Sequence, residues 1–228
     1  MFGIKEKETG FEEGDVFYSF FENKFYLYKL LRVDKENSTY HVLSYADLDV
    51  LPNADALNTL DVHTYHFPID KDGSENPILL SKQQVTADNL IGYHEYLRQT
   101  HDIEFVIATA QEYYKGGGQF TDMKKHELAI DEYSKAFDLF PQFFEAIDNR
   151  AFCKMDMGRW ADAISDFEIS LTVNPNSLLA EFSIGECYLR LQDGDKAKEH
   201  FEKAIKIDPT HQASYDFLKK AIELSGAK

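Results

Sequence analysis

The sequence predicts a two-part α+β chain: a small antiparallel β domain with a helix, then an all-α superhelix of repeated helical hairpins. Three observations predict it. Residue types recur every 34 positions through the second half. Aromatic and β-branched runs broken by turn residues fill the first half. Finally, 43% hydrophobic and 14% aromatic residues are enough to build a core in each part. The division is placed at 1–102 and 103–227.

The repeat is read from Ala163, Phe167, Ser170 and Pro175. One period later stand Ala197, Phe201, Ala204 and Pro209; one period earlier stand Ala129, Tyr133, Ala136 and Pro141. Positions i, i+4 and i+7 share a helical face, where small residues admit a partner helix and the aromatic fills the space beside them. The proline then ends the helix, because it has no N–H to donate and restricts the residue before it. The preceding helices repeat as well: Asn149 matches Ser183, Ala151 matches Gly185, and Cys153 matches Cys187. Gly158 and Gly194 are expected as helix-ending glycines. These residues resemble the tetratricopeptide repeat (TPR) family, with repeats at about 103–143, 144–177 and 178–211 and a cap helix at 212–224. The chain departs from the family pattern at Lys154, where a tyrosine is usual, and at Gly194, where Trp160 keeps the usual aromatic one repeat earlier. Gly116–Gly118 and the residues after them are expected to form a longer loop between the first two helices, since adjacent glycines weaken a helix. In the cap, Tyr215, Phe217, Leu218 and Ile222 are expected to face inward, with Lys219, Lys220 and Glu223 in water.

The first part reads as strands at Val16–Phe21, Phe25–Val33, Thr39–Tyr45 and Val62–Ile69, the last of them ended by Pro68. Glu22-Asn23-Lys24 and Asp34–Ser38 are turns, and Ala46–Leu60 has room for a short helix. Thr86 is the expected N-cap of a helix running through Leu90, Ile91, Tyr93 and Leu97. Gly14-Asp15-Val16-Phe17, followed by strand, turn and strand, is faintly similar to small barrel domains of bacterial immunity proteins.

No phosphate-binding loop, dinucleotide fingerprint, nucleophile elbow or His-Glu-x-x-His motif is present in the sequence. His63 and His66 would point to opposite faces of a strand, so they make a poor metal pair. His94 and His101 have no acid partner readable from spacing, and His200, between Glu199 and Glu202, is read as a surface residue. Cys153 and Cys187 are read as buried apolar residues rather than a disulfide. No catalytic residue, metal ligand or cofactor is assigned, and an enzyme is not expected. The net charge of −16 divides as −10 through Glu104 (9 Lys+Arg against 19 Asp+Glu) and −6 beyond it (15 against 21). That field repels nucleic acid and favours a basic protein partner. With no apolar run of membrane-spanning length and no signal peptide in view, a cytoplasmic protein is expected.

The resemblance implies that the first helix of each hairpin lines a concave groove. Its lining residues are Glu145, Asp148, Asn149, Phe152, Met155 and Asp156 in the middle repeat, and Leu179, Phe182, Ser183, Glu186, Leu189 and Arg190 in the last. Some family members hold the acidic C-termini of heat-shock chaperones with Lys, Arg and Asn in this groove. Here Glu145, Asp148, Phe152 and Glu186 stand in such places, which argues against that activity and for a segment with apolar and basic residues. Phe152, Phe182 and Leu189 also suit packing against neighbouring helices. The leading expectation is a protein-interaction adaptor or scaffold. The alternatives are an inhibitor or immunity-type protein that blocks a basic enzyme, and an enzyme with a deep polar pocket near Tyr18, Tyr28, Tyr40 or His63.

Overall fold

The computed structural model describes residues 10–71 and 77–226. Contacts divide the chain into two compact units, Met1–Asp102 and Ile103–Lys228. No helix among the described residues is long and apolar enough to cross a membrane.

The first unit is one antiparallel sheet of β1 (Asp15–Phe21), β2 (Lys24–Asp34), β3 (Thr39–Tyr45), β4 (Val62–Asp70) and β5 (Ile78–Lys82), in the order β4-β3-β2-β1-β5. Phe21 pairs with Lys24, so the first hairpin turns on Glu22 and Asn23 alone, both with positive φ (48° and 64°). That backbone suits the twist of the flanking strands. At the second hairpin the Asp34 carboxylate accepts bonds from the Glu36 and Asn37 amides, closing the turn. Pro68 does not end β4 but lies inside it, paired with His41. β4 is an edge strand, where a missing N–H costs the sheet nothing on its open side. The short β5, which pairs with β1, is not anticipated by the sequence reading. Between β3 and β4 the chain makes one short 3-10 helix, Ala54–Thr59, capped by the Asn53 side chain.

Alternation sorts the strands' side chains onto two faces. Phe17, Leu30, Tyr40 and Val42 form one core, with Phe11 stacked on Phe17 at 4.4 Å. Leu27 and Lys29 belong to the opposite face. A 3-10 turn, Ala87–Leu90, opens with a capping box between Thr86 and Asn89 and leads into α1 (Ile91–Thr100), which packs on β4. Beneath α1, His41 Nδ1 and His66 Nε2 are 2.9 Å apart, and the rings of Tyr93 and Tyr96 pack against both imidazoles. Burial lowers the pKa of both histidines, that of His66 to about 4. His63 and Tyr65 both point to solvent.

The second unit is seven helices: α2 (Ile103–Asp122), α3 (His126–Leu139), α4 (Phe144–Asp156), α5 (Trp160–Val173), α6 (Leu178–Arg190), α7 (Gly194–Ile207) and α8 (Gln212–Gly226). They form three hairpins and a cap. Two glycine expectations need correction. Gly116–Gly118 do not form a loop; α2 continues through them to Asp122. Gly117 stands one period before Ala151 and two before Gly185, and a Cβ there would lie 2.6 Å from the Tyr133 ring, just as one at Gly185 would meet Phe201. The small residue is kept because the aromatic of the next helix occupies its space, and tertiary contact outweighs the helix-weakening tendency. Nor does Gly194 end a helix. It opens α7, where a Cβ would come within 2.7 Å of the Ala221 carbonyl oxygen in α8. The left-handed turn residues are Lys124, Gly158 and Gln192, with φ of 57°, 73° and 59°, again one period apart.

Polar contacts also lock the hairpins. Arg150 donates two bonds to the buried Asp166 and a third to Ser134, and Lys154 lies 2.6 Å from the same carboxylate. One period after Asp166, His200 Nδ1 lies 2.7 Å from Glu181. His200 is thus not a surface residue: its imidazole is largely enclosed and stacks on Tyr188. In α8 the inward face is Ser214, Phe217, Leu218 and Ala221, whereas Tyr215 and Ile222 are exposed. Ser214 and Ala221 share the inward face with Phe217 and Leu218, and Ala221 packs against Phe201 and Ala197.

Candidate partner-binding groove

The first helices of the hairpins, α2, α4 and α6, present matching positions 34 residues apart. In α4, Glu145 and Asp156 are exposed at the two ends of the stripe. Asn149 is half-buried and donates through Nδ2 to the Tyr114 hydroxyl of α2 at 2.7 Å. Phe152 is half-buried, edge-on to Phe167 at 5.3 Å, and Met155 packs against the same core. Asp148 is 4% exposed, with Ser170 beside it. Burial raises its carboxyl pKa and the charge of Glu145 adds to this, while Ser170 opposes them.

The same stripe in α6 is arranged differently. Leu179 is exposed, and Ser183 is buried at 2%. Phe182 sits among Phe201, His211 and Phe217, all at 5.2–5.5 Å. Leu189 packs into the same cluster beside Leu218, so α8 takes part of the surface that α4 leaves open. Glu186 is half-buried; burial raises its pKa, against the pull of Arg190 and Lys220. Arg190 extends to the Trp160 ring, 5.7 Å from its centre. Of the predicted lining residues, Glu145, Asp156, Leu179 and Arg190 are exposed, Asn149, Phe152, Met155, Phe182, Glu186 and Leu189 are half-buried, and Asp148 and Ser183 are buried.

Tyr114 of α2 also stands beside this stripe, outside the predicted set. Subtracting 34 from Asp148 and Asn149 gives Tyr114 and Lys115, a signal that was present but hidden by reading a loop at Gly116. Tyr114 is held by Asn149 and by Phe143, whose ring lies 4.8 Å away. The chemistry of this surface is recognition: an amide, aromatic and thioether faces, and carboxylates. The cysteines behind it are buried and unpaired with each other, and burial pushes the Cys187 thiol up to about 12. Among the described residues, no group of three or more His, Cys, Asp or Glu is placed to hold a metal ion.

The sheet unit has its own cleft, of about 370 Å³, bordered by Tyr28, Asp47, His63 and Phe67. This is where the enzyme alternative places a pocket. Asp47 is held there by Lys24 at 2.5 Å.

Residues 179–211 match the tetratricopeptide repeat family. Similar proteins include Hsp70-Hsp90 organizing protein 3 of Arabidopsis thaliana, 28% identical over 109 residues, covering 48% of this chain and 19% of that protein. Heat shock protein STI1 of Saccharomyces cerevisiae is 26% identical over 111 residues, again 48% and 19%. The chain thus spans about a fifth of the length of these relatives. Among solved structures, the first TPR of Spaghetti (RPAP3) bound to the HSP90 peptide SRMEEVD is similar at 24% identity and a TM-score of 0.49, over 51% of this chain and 93% of that one.

Proposed function

We propose that this protein, whose residues 179–211 match the tetratricopeptide repeat family, is a non-catalytic adaptor whose groove across α2, α4 and α6 holds a segment of a partner protein. The observation that carries this reading is the open stripe of α4. Glu145, Asn149, Phe152 and Asp156 face the groove beside Tyr114 and Leu179, so apolar surface is flanked by carboxylates. Such a stripe suits an extended or helical segment with apolar anchors and Lys or Arg between them. Relatives named for Hsp70 and Hsp90 support peptide binding as the general role. The acidic peptide SRMEEVD, bound by the RPAP3 domain, is not the expected ligand here, because the exposed Glu145 and Asp156 would oppose its carboxylates.

Titration of the full chain with two labelled peptides, SRMEEVD and a designed Lys/Leu segment of equal length, tests the proposal. The basic peptide is expected to bind at least about tenfold more tightly, and Glu145→Lys to remove most of that preference. Equal binding, or a preference for SRMEEVD, rejects the partner chemistry. Binding untouched by both Glu145→Lys and Phe152→Ala moves the site out of the groove.

A further inference from the structure

We infer that the sheet unit carries a second binding site, for a small organic cation of the methylated-ammonium type, in the cleft of about 370 Å³ bordered by β2, β3 and β4. Its walls are aromatic. Tyr26 and Tyr28, two residues apart in β2, project from one face of the sheet, and Phe67 of β4 meets Tyr28 there. The Tyr28 and Phe67 ring centres are 6.0 Å apart with their planes at 70°, so the two rings make a corner rather than a stack. Phe17 packs against Tyr28 at 5.5 Å, and Ser19 bonds the Tyr28 hydroxyl, which fixes that ring. The lining also includes Ser44 and Thr64, which pair with each other between two irregularities of the β3–β4 ladder. Such irregularities bend a strand and re-aim its side chains, which suits a gap in an otherwise packed sheet face.

Charge selects the ligand. Among the described residues the lining has one carboxylate, Asp47, and no lysine or arginine. Asp47 is paired with Lys24 at 2.5 Å, and the two side chains are 46% and 45% exposed. An exposed pair of this kind is worth little, so a bound cation can share the carboxylate or displace Lys24 at small cost. The inference therefore rests on the rings, with Asp47 as an accessory. A ring face attracts a cation, most strongly one that has left water. A methylated ammonium suits such walls better than a primary one, because it sheds water readily and has few or no N–H groups to satisfy. The chain through Glu104 has 9 Lys+Arg against 19 Asp+Glu, a balance of −10 that draws cations and repels anions. The volume fits the range for small-molecule sites. This site lies wholly in the sheet unit and does not depend on the groove reading. A free choline-like molecule and a trimethylated lysine of a partner chain present the same headgroup, and the experiment separates them.

The test uses the full chain with choline and its uncharged isostere 3,3-dimethylbutan-1-ol, followed by NMR shift perturbation. Choline is expected to bind in about the millimolar range or tighter. It should bind at least about fivefold more tightly than the alcohol, with shifts at Tyr26, Ser44 and Thr64. Tyr26→Leu should weaken choline at least about threefold. The ion pair supplies the sharpest arm. Asp47→Asn should weaken choline about threefold and Lys24→Met should strengthen it about threefold, because the first removes the carboxylate and the second frees it. Both variants break the same bridge, so a merely structural effect would move both the same way; melting curves check that each variant folds. A short peptide carrying trimethyllysine, read at the same three residues, tells the sources apart. Binding at least about tenfold tighter than choline assigns a partner's side chain, and anything weaker assigns a free small molecule. Choline binding no tighter than the alcohol, or shifts in the same direction for the two ion-pair variants, overturns the inference. So does the absence of saturable binding of either cation in the folded chain. Loss of peptide binding in the groove, with choline binding kept, would count only against the adaptor proposal.

Discussion

The two units bury their residues in different ways. In the helical unit one set of contacts is made three times: Gly117 with Tyr133, Ala151 with Phe167, Gly185 with Phe201. In the sheet unit the key polar groups occur once, and distant segments enclose them. Lys29 is held by Gln84 and Asn89, and His41 meets His66 under Tyr93 and Tyr96. A substitution in the helical unit should therefore have a neighbour-limited effect that can be compared with its equivalents one period away. A substitution in the sheet unit has no equivalent to be compared with.

The largest expected effect is Ala197→Glu. Ala197 is fully buried against Phe201 and Ala221, so a carboxylate there has no room and no partner. The last hairpin and the cap should unfold at a cost of about 4 kcal/mol or more, while the sheet unit keeps its protection. Hydrogen exchange resolved by residue checks this; uniform loss of protection across both units would break the comparison.

Next is the pair Phe182→Ala and Phe152→Ala, which stand about one helical turn apart in the repeat, since Phe182 matches Asp148 and Phe152 matches Glu186. Phe182 meets three rings, including Phe217 of the cap, whereas Phe152 meets the ring of Phe167. Urea unfolding of the helical unit should show about 2 kcal/mol lost for Phe182→Ala and roughly half of that for Phe152→Ala. Equal losses would mean that the cap adds little to the last repeat.

The two units should also respond to pH with opposite sign. His66 has a folded pKa of about 4, below its ordinary 6.5. The unfolded chain then binds the proton more readily, so this contribution is complete above about 6.5 and is lost as pH falls towards about 4. Asp34 pulls His41 the other way and His101 reinforces the depression, so the pair titrates within that setting. His66→Gln should flatten the decline of the sheet unit's stability across this window. Asp148 has a raised folded pKa, so the folded helical unit binds the proton more readily and gains from acidification at this site. Asp148→Asn should stabilise the helical unit at pH 7, with the gain shrinking as pH falls through the raised pKa. Melting curves at several pH values, followed by unit-specific NMR signals, measure both slopes. Parallel slopes in the two variants would contradict the assignment.

The smallest effect concerns the thiols. Cys153 and Cys187 are both buried, and burial raises both pKa values. Neither should react with a thiol reagent at pH 8 until urea is added, when two thiols per chain should label.

Much of the helical unit was legible because its constraints are local and repeated. Ala163, Phe167 and Pro175 state the rule, and positions 34 residues away restate it. The positions of α4 and α6 were legible to the same degree, but α2 was not read to its end, because the three glycines suggested a loop. Their role in making room for Tyr133 is a contact between helices, which local propensity does not register. The cap was placed in sequence, and Phe217 and Leu218 of its inward face with it, but Tyr215 and Ile222 are exposed. Large residues seemed the natural ones to bury, yet Ser214 and Ala221 share that face. In the sheet unit the strands announced themselves by composition, while β5, a five-residue edge strand, was too short to do so.

By itself, then, the sequence determined where helices and most strands form, the period of the stack, and the acidic and apolar character of one face. Each of these depends on residues near one another or on a spacing that repeats. Only the tertiary structure decided which face residues stay open, that Asp148 and Phe182 share a position but not an environment, and that Lys29 lies enclosed beside amides. Those outcomes depend on what a neighbouring element brings against a side chain, and burial by a distant segment leaves no periodic mark in the chain.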